Sequence, residues 1–215
     1  MVYSYQISLM PTTSNADGYI ALMALKWRHA GQACITANRV YVQSGVYDKF
    51  ATILKERTRK LVVGHGADES TTMGPVTTPQ GLTKALNQVE DAKKLGGQIV
   101  LGGAKITGMA GYFFEPTIIL GAKREMLVTQ EETFGPILAL YSFDTEDEAV
   151  QAANDTSVSF VLDERLGRWL NEAADGPGFV LLHEEHRPHV ETAREPRGWH
   201  DWDEHWYVDD PLLRD

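Results

Sequence analysis

Along the first 155 residues, apolar positions alternate between stripes at helical spacing and short unbroken runs. Ile20 to Trp27 is apolar apart from Lys26, and the Gly31 that follows predicts a stop for a helix ending near His29. Cys34 then falls just past a helix end. Arg39 to Gln43, with Val40, Tyr41 and Val42, has the β-branched and aromatic content of a short buried strand. After it, Val46, Phe50, Ile53, Leu54, Arg57 and Leu61 recur at helical spacing, so residues 47–60 read as an amphipathic helix with its charges outward.

The alternation returns further on. Leu82, Leu86, Val89 and Leu95 stripe a second helix, Gly96 and Gly97 stop it, and Gln98 to Leu101 read as a strand. Phe113 to Leu120 and Ile137 to Phe143 are further strands, and Thr145 with Glu148 forms a capping box that opens a helix through Asn154. Strand and helix in alternation predict an α/β fold, a mostly parallel sheet flanked by helices. No internal repeat or low-complexity linker interrupts it. From Phe160 the composition shifts to Trp, His, Arg and Glu, with little periodicity outside Val161 to Glu172. The first fifteen or so residues, rich in Ser, Thr and Tyr, also lack a clear pattern. The chain therefore divides into an N-terminal segment 1–18, a domain 19–159, and an irregular tail 160–215 expected to be poorly ordered.

Composition narrows the function. A 215-residue chain that is 43% hydrophobic can build a sizeable core, as one domain or a small pair. Thirty acidic against twenty basic residues, a net charge of -10, oppose the broad phosphate-neutralising surface that nucleic acid or an anionic membrane needs. Apolar runs such as Ile137 to Tyr141 are far short of the roughly 20 residues that span a bilayer. Met1 to Asn15 has no basic cluster followed by an apolar core and is poor in Arg, so no secretory signal is expected. A cytoplasmic location is expected, with a mitochondrial one left open. The lone cysteine, Cys34, cannot form an internal disulfide, which fits a reducing compartment and leaves a free thiol. Taken without context, a single cysteine is most simply a small buried core residue.

Context comes from the neighbouring residues. The run Arg28-His29-Ala30-Gly31-Gln32-Ala33-Cys34, continued by Ala37-Asn38-Arg39, resembles the active-site cysteine segment of the aldehyde dehydrogenase superfamily. Glu131-Glu132-Thr133-Phe134-Gly135-Pro136 resembles a second signature of that family at a compatible distance. The likeness extends through Gly64-His65-Gly66, Gly74-Pro75, Gly102-Gly103, Phe113-Phe114-Glu115-Pro116-Thr117 and Ala153-Asn154-Asp155-Thr156. Ordered landmarks over some 140 positions carry far more weight together than any one motif alone. The wording from Lys26 to Gln32 is most similar to the succinate-semialdehyde dehydrogenases.

The resemblance implies roles residue by residue. Cys34 is the implied nucleophile: its thiolate attacks an aldehyde carbon, its own backbone N–H helps hold the oxyanion, hydride passes to a nicotinamide, and water releases the acid from the thioester. Arg28 is the implied grip on the far carboxylate of the substrate, because a guanidinium fork pairs bidentately with a carboxylate. Glu132 is the implied partner of the nicotinamide ribose hydroxyls, since a carboxylate accepts from both members of a diol, and Phe134 packs near the nicotinamide. Glu131 reads as a surface or structural acid. Thr36 stands where some relatives carry a second cysteine, so a redox disulfide is not expected.

The implied cofactor is NAD or NADP, and the implied substrate a small aldehyde. The family's general base, in a Glu-Leu-Gly-Gly segment, would fall at or before Met1, as would its Rossmann domain and the asparagine that completes the oxyanion hole. Cofactor binding is therefore expected to be weak and turnover by the isolated chain impaired, since acid–base help is worth roughly 10² to 10⁴ in rate. Gly64-His65-Gly66 reads as a turn rather than a substitute nucleotide loop. His183, His186 and His189 lack the spacing of a metal site, so no metal is expected. The alternative is a truncated, inactive fragment that associates with itself or with full-length relatives through an unfinished sheet. The choice between NAD and NADP, the identity of the aldehyde and the oligomeric state stay open.

Overall fold

The computed structural model describes residues 5–9, 16–34 and 36–155. Its five strands are β1 (Tyr5–Leu9), β2 (Ala37–Gln43), β3 (Gln98–Leu101), β4 (Thr117–Leu120) and β5 (Ile137–Phe143), forming one sheet in the order β1-β2-β5-β4-β3. β1, β2, β5 and β4 run parallel to their neighbours; β3 alone is antiparallel, against β4. Three sequence expectations change here. A strand occupies residues 5–9, where no pattern was read, and the second helix–strand unit ends on an antiparallel edge. The strand expected over 113–120 is confined to Thr117–Leu120, while Phe114 makes a single bridge to Lys105. The stretch 161–172 and the three tail histidines lie outside the described residues.

β2 and β5 are the centre of the sheet, and their sequences show why. Ala37 to Val42 and Ile137 to Tyr141 are buried at every position, so both faces must be compatible with a core. Parallel strands covered on both faces are continuous in apolar character rather than alternating. The helices that cover them are α1 (Ala16–Trp27), α2 (Ser44–Thr58), α3 (Pro79–Lys94), the short α4 (Leu127–Gln130) and α5 (Glu146–Asn154). α2 buries Phe50, Ala51, Leu54 and Thr58, a single stripe.

The helix boundaries follow from local chemistry. α3 starts where the Thr78 hydroxyl accepts from the Gly81 N–H at 3.1 Å, with Pro79 at its first position, and stops at Gly96, whose φ of 89° suits a residue without a Cβ. α4 borrows its cap from α3: the Leu127 N–H donates to the Asp91 carboxylate at 2.7 Å. α5 carries the full capping box, with Glu148 N–H donating to Thr145 Oγ1 and the Glu148 carboxylate accepting from the Thr145 N–H, both at 3.3 Å.

The register places the site. Arg39 pairs with Ala139 and Thr117 with Ile137, so β2, β4 and β5 begin nearly level. The loop that enters β2 and the loop that enters β5 therefore emerge at the same edge of the sheet. That is the amino-terminal edge, opposite the carboxyl-end crevice where open parallel sheets most often hold ligands.

Candidate active site

The loop entering β2 starts from α1. Trp27 ends that helix fully buried, its indole N–H donating to Met23 Sδ at 3.2 Å, and Lys26 is fully buried beside it. The single turn Arg28–Gly31 then reverses hand: His29 (φ 53°), Ala30 (φ 52°) and Gly31 (φ 70°) are all left-handed. For a residue with a Cβ this conformation costs about 1–2 kcal/mol, so His29 and Ala30 are strained. At Gly31 a Cβ would collide with the carbonyl oxygen of Gly135, which is how closely the loop entering β5 approaches. The Thr36 N–H donates to the Ala33 carbonyl at 3.0 Å and arches the chain, leaving Cys34 exposed.

The loop entering β5 has the same character. Phe134 is left-handed (φ 45°) and 43% exposed, an outlier for a bulky residue. On its far side the Gly135 carbonyl accepts from Ile137 N–H at 2.8 Å and the Pro136 carbonyl from Thr117 N–H at 2.9 Å, which ties the loop to the start of the sheet. Among the described residues the only non-glycine positions with positive φ are His29, Ala30 and Phe134. All three lie in these two touching loops.

The four residues expected at a site are thus carried on one edge. Cys34 is exposed on the first loop, and Arg28, also exposed, opens the left-handed turn before it. Glu132 is half-buried and Phe134 exposed on the second. The loops are joined by backbone, at Gly31 and Gly135, rather than by a bond between Cys34 and Glu132. Glu131 points elsewhere, to Lys84 on α3 at 3.8 Å. Beside it lies a groove of about 430 Å³ between α3 and α4, lined by Gln80, Thr83, Lys84, Leu127 and Glu131 among others.

Sequence reasoning missed two features. One is Gln32, whose side chain makes four hydrogen bonds, three of them to residues more than forty positions away. Its only sequence signal was its place within the cysteine motif. The other is a set of buried polar atoms with no hydrogen-bond partner among the described residues: Lys26 Nζ, Thr36 Oγ1, Asn38 Oδ1 and Thr133 Oγ1, with Gln43 Oε1 at the far end of β2 and both amide atoms of Gln88 on α3. The first four residues border or belong to the two loops. Burial away from water brings the Lys26 ammonium down from 10.5 to about 7. Among the described residues no three His, Cys, Asp or Glu side chains gather where a metal ion could be held, and no helix is long and apolar enough to cross a membrane.

Residues 16–161 match the model of the aldehyde dehydrogenase family. The chain is 48% identical over 138 residues to succinate-semialdehyde dehydrogenase [NADP(+)] 1 of Schizosaccharomyces pombe, covering 64% of this chain and 28% of that protein. It is 43% identical over 151 residues to succinate semialdehyde dehydrogenase of Acinetobacter baylyi, covering 69% of this chain and 31% of that one. The chain thus spans under a third of the length of these curated relatives. Its fold superposes on the crystal structure of succinate-semialdehyde dehydrogenase from Burkholderia pseudomallei with a TM-score of 0.71 at 33% identity, over 81% of this chain and 37% of that one.

Proposed function

Because this chain belongs to the aldehyde dehydrogenase family, we propose that Cys34 is the nucleophile of an aldehyde oxidation whose substrate is succinate semialdehyde. The observation that carries the reading is the concentration of left-handed, non-glycine backbone in two loops that touch, one holding Cys34 and the other Glu132 and Phe134. Backbone strain of this kind persists where surrounding structure over-determines it, and it clusters at sites that must hold groups in fixed geometry.

The chemistry assigned to this chain's residues is as follows. The Cys34 thiolate bonds to the aldehyde carbon, and the carbonyl electron pair moves to the oxygen, which accepts from the Cys34 backbone N–H. Arg28 pairs through its guanidinium with the far carboxylate and sets the reach of the aldehyde. A nicotinamide dinucleotide, NAD or NADP, serves as hydride acceptor when bound. The half-buried Glu132 carboxylate suits the diol of its ribose, and the exposed Phe134 offers a ring face. Hydrolysis of the thioester on Cys34 then releases the acid.

The test is a chimera in which residues 16–155 replace the matching segment of a full-length succinate-semialdehyde dehydrogenase. Succinate semialdehyde should be oxidised, and Cys34→Ser should abolish the reaction. Arg28→Ala should raise KM roughly ten-fold or more with kcat little changed, and should spare an aldehyde that has no carboxylate. A folded chimera that is inactive, or one still active with Cys34→Ser, would sink the proposal.

A further inference from the structure

The cysteine loop is strained, yet its only covalent constraint is the chain itself, so something must hold it. Gln32 stands between the left-handed turn and Cys34, and its carboxamide is used at both ends. Nε2 donates to the His29 carbonyl at 2.8 Å, inside the strained turn, and to the Pro75 carbonyl at 3.2 Å. Oε1 accepts from the Thr77 N–H at 2.8 Å and from the Thr77 hydroxyl at 3.0 Å. One side chain therefore closes the turn on itself and ties it to the loop that leads into α3, whose cap, Thr78, is the next residue. α3 in turn pairs with the second loop through Lys84 and Glu131.

We propose that Gln32 is the positioning residue of this site, holding the left-handed turn in the form that presents Cys34 to an aldehyde. The inference rests on the reading of Cys34 as the nucleophile. Without these four bonds, His29 and Ala30 relax toward right-handed geometry and Cys34 moves off its line of attack. The thiol itself stays exposed and chemically unchanged. Gln32 thus governs how well a bound aldehyde reacts, not whether the thiol is reachable.

The reaction to follow needs no cofactor. Thiol and aldehyde combine reversibly: a bond forms between Sγ and the carbonyl carbon, the π pair goes to oxygen, and the thiol proton ends on that oxygen, with no net oxidation. The chain has one cysteine, so iodoacetamide alkylation reads Cys34 alone, and succinate semialdehyde protects it to the extent that the adduct forms. In the 215-residue chain, Gln32→Ala should leave the alkylation rate without aldehyde within about two-fold while weakening protection roughly ten-fold, as a small misplacement does. Gln32→Glu keeps the acceptor for Thr77 and loses both donated bonds, so its protection should be intermediate. Thr77→Val, on an exposed residue, removes one bond and should shift protection in the same direction by a smaller factor. Circular dichroism establishes that each variant is folded, and the exposed Thr77→Val supplies the reading should the Gln32 variants unfold.

Equal protection in wild type and the folded variants would overturn the role of Gln32 and leave Cys34 as nucleophile standing. Parallel loss of free alkylation and protection would also overturn it, because that marks general loosening. No protection of the wild type would bring down both readings, since no aldehyde adduct would exist for Gln32 to position.

Discussion

Two neighbouring regions of the sheet treat their polar groups in opposite ways. At β5 and α5 most polar groups have a partner, with Gln43 Oε1 opposite Phe143 an exception. Arg39 is buried on β2 and donates to the carbonyls of Ala152, Ala153 and Asp155 at 3.3–3.5 Å, closing the carboxyl end of α5, while the Tyr41 hydroxyl donates to Ala152 at 3.0 Å. The amino end of α5 has its capping box, and the Tyr141 hydroxyl, whose pKa burial pushes up, bonds Thr129 at 2.7 Å. Immediately before Arg39 the pattern breaks. The edge that carries Cys34 has left-handed His29 and Ala30, and buried atoms on Lys26, Thr36, Asn38 and Thr133 that lack partners. A buried polar atom without a partner costs about 1–3 kcal/mol. The first region is built for stability, and the second keeps strain and unsatisfied groups where a reaction would use them.

The contrast gives substitutions of opposite sign. The largest effect should come from Gly31→Ala, which adds a Cβ against the Gly135 carbonyl at a left-handed position and should cost about 3 kcal/mol or more in urea unfolding, with loss of aldehyde protection at Cys34. A tolerated alanine would mean that the two loops do not meet as described. Arg39→Met should cost about 2–3 kcal/mol, since three helix-end carbonyls lose a charged donor. A near-neutral Arg39→Met would remove the distinction between the regions.

On the other side, Lys26→Met should stabilise the chain by about 2 kcal/mol at pH 7, because it replaces a buried amine that lacks a partner with an apolar side chain of similar length. The pH dependence has a definite sign. The folded-state Lys26 titrates near 7 against 10.5 when unfolded, so between these values the unfolded chain binds more protons and stability rises with pH, by up to about 1.4 kcal/mol per pH unit from this group. From pH 7 to 10 the wild type should gain stability on Lys26→Met, erasing the difference present at pH 7. Parallel curves would place a partner on Lys26. The smallest pair is Thr145→Ala, which should lose about 1 kcal/mol with its capping box, and Thr133→Val, which should lose nothing or gain a few tenths.

How far the sequence foretold this depends on whether a feature is local. The capping box at Thr145, the glycine stop after α3 and the apolar run of β5 all arise within a few residues, and each was legible. β1 was not: Tyr5-Gln6-Ile7-Ser8-Leu9 alternates, but five residues between Ser4 and Met10-Pro11 give a weak signal, and pairing with β2 decides the matter. Nor could the antiparallel sense of β3 be read, since a strand's direction depends on where the chain returns. At the site, Cys34, Arg28, Glu132 and Phe134 came from motif wording. The meeting of Gly31 with Gly135 and the reach of Gln32 to Pro75 and Thr77 are long-range, and no periodicity encodes them. Lys26 was read as a single charge in an apolar helix; that it lies wholly buried is a tertiary fact.

The bond between Cys34 and an aldehyde carbon is the step on which an aldehyde site at this edge depends. Succinate semialdehyde labelled with ¹³C at that carbon, added to the 215-residue chain, should give a protein-bound hemithioacetal resonance that vanishes with Cys34→Ser and weakens with Gln32→Ala. A folded wild-type chain that gives no such resonance, or one that persists in Cys34→Ser, would contradict the assignment of this edge as an aldehyde site.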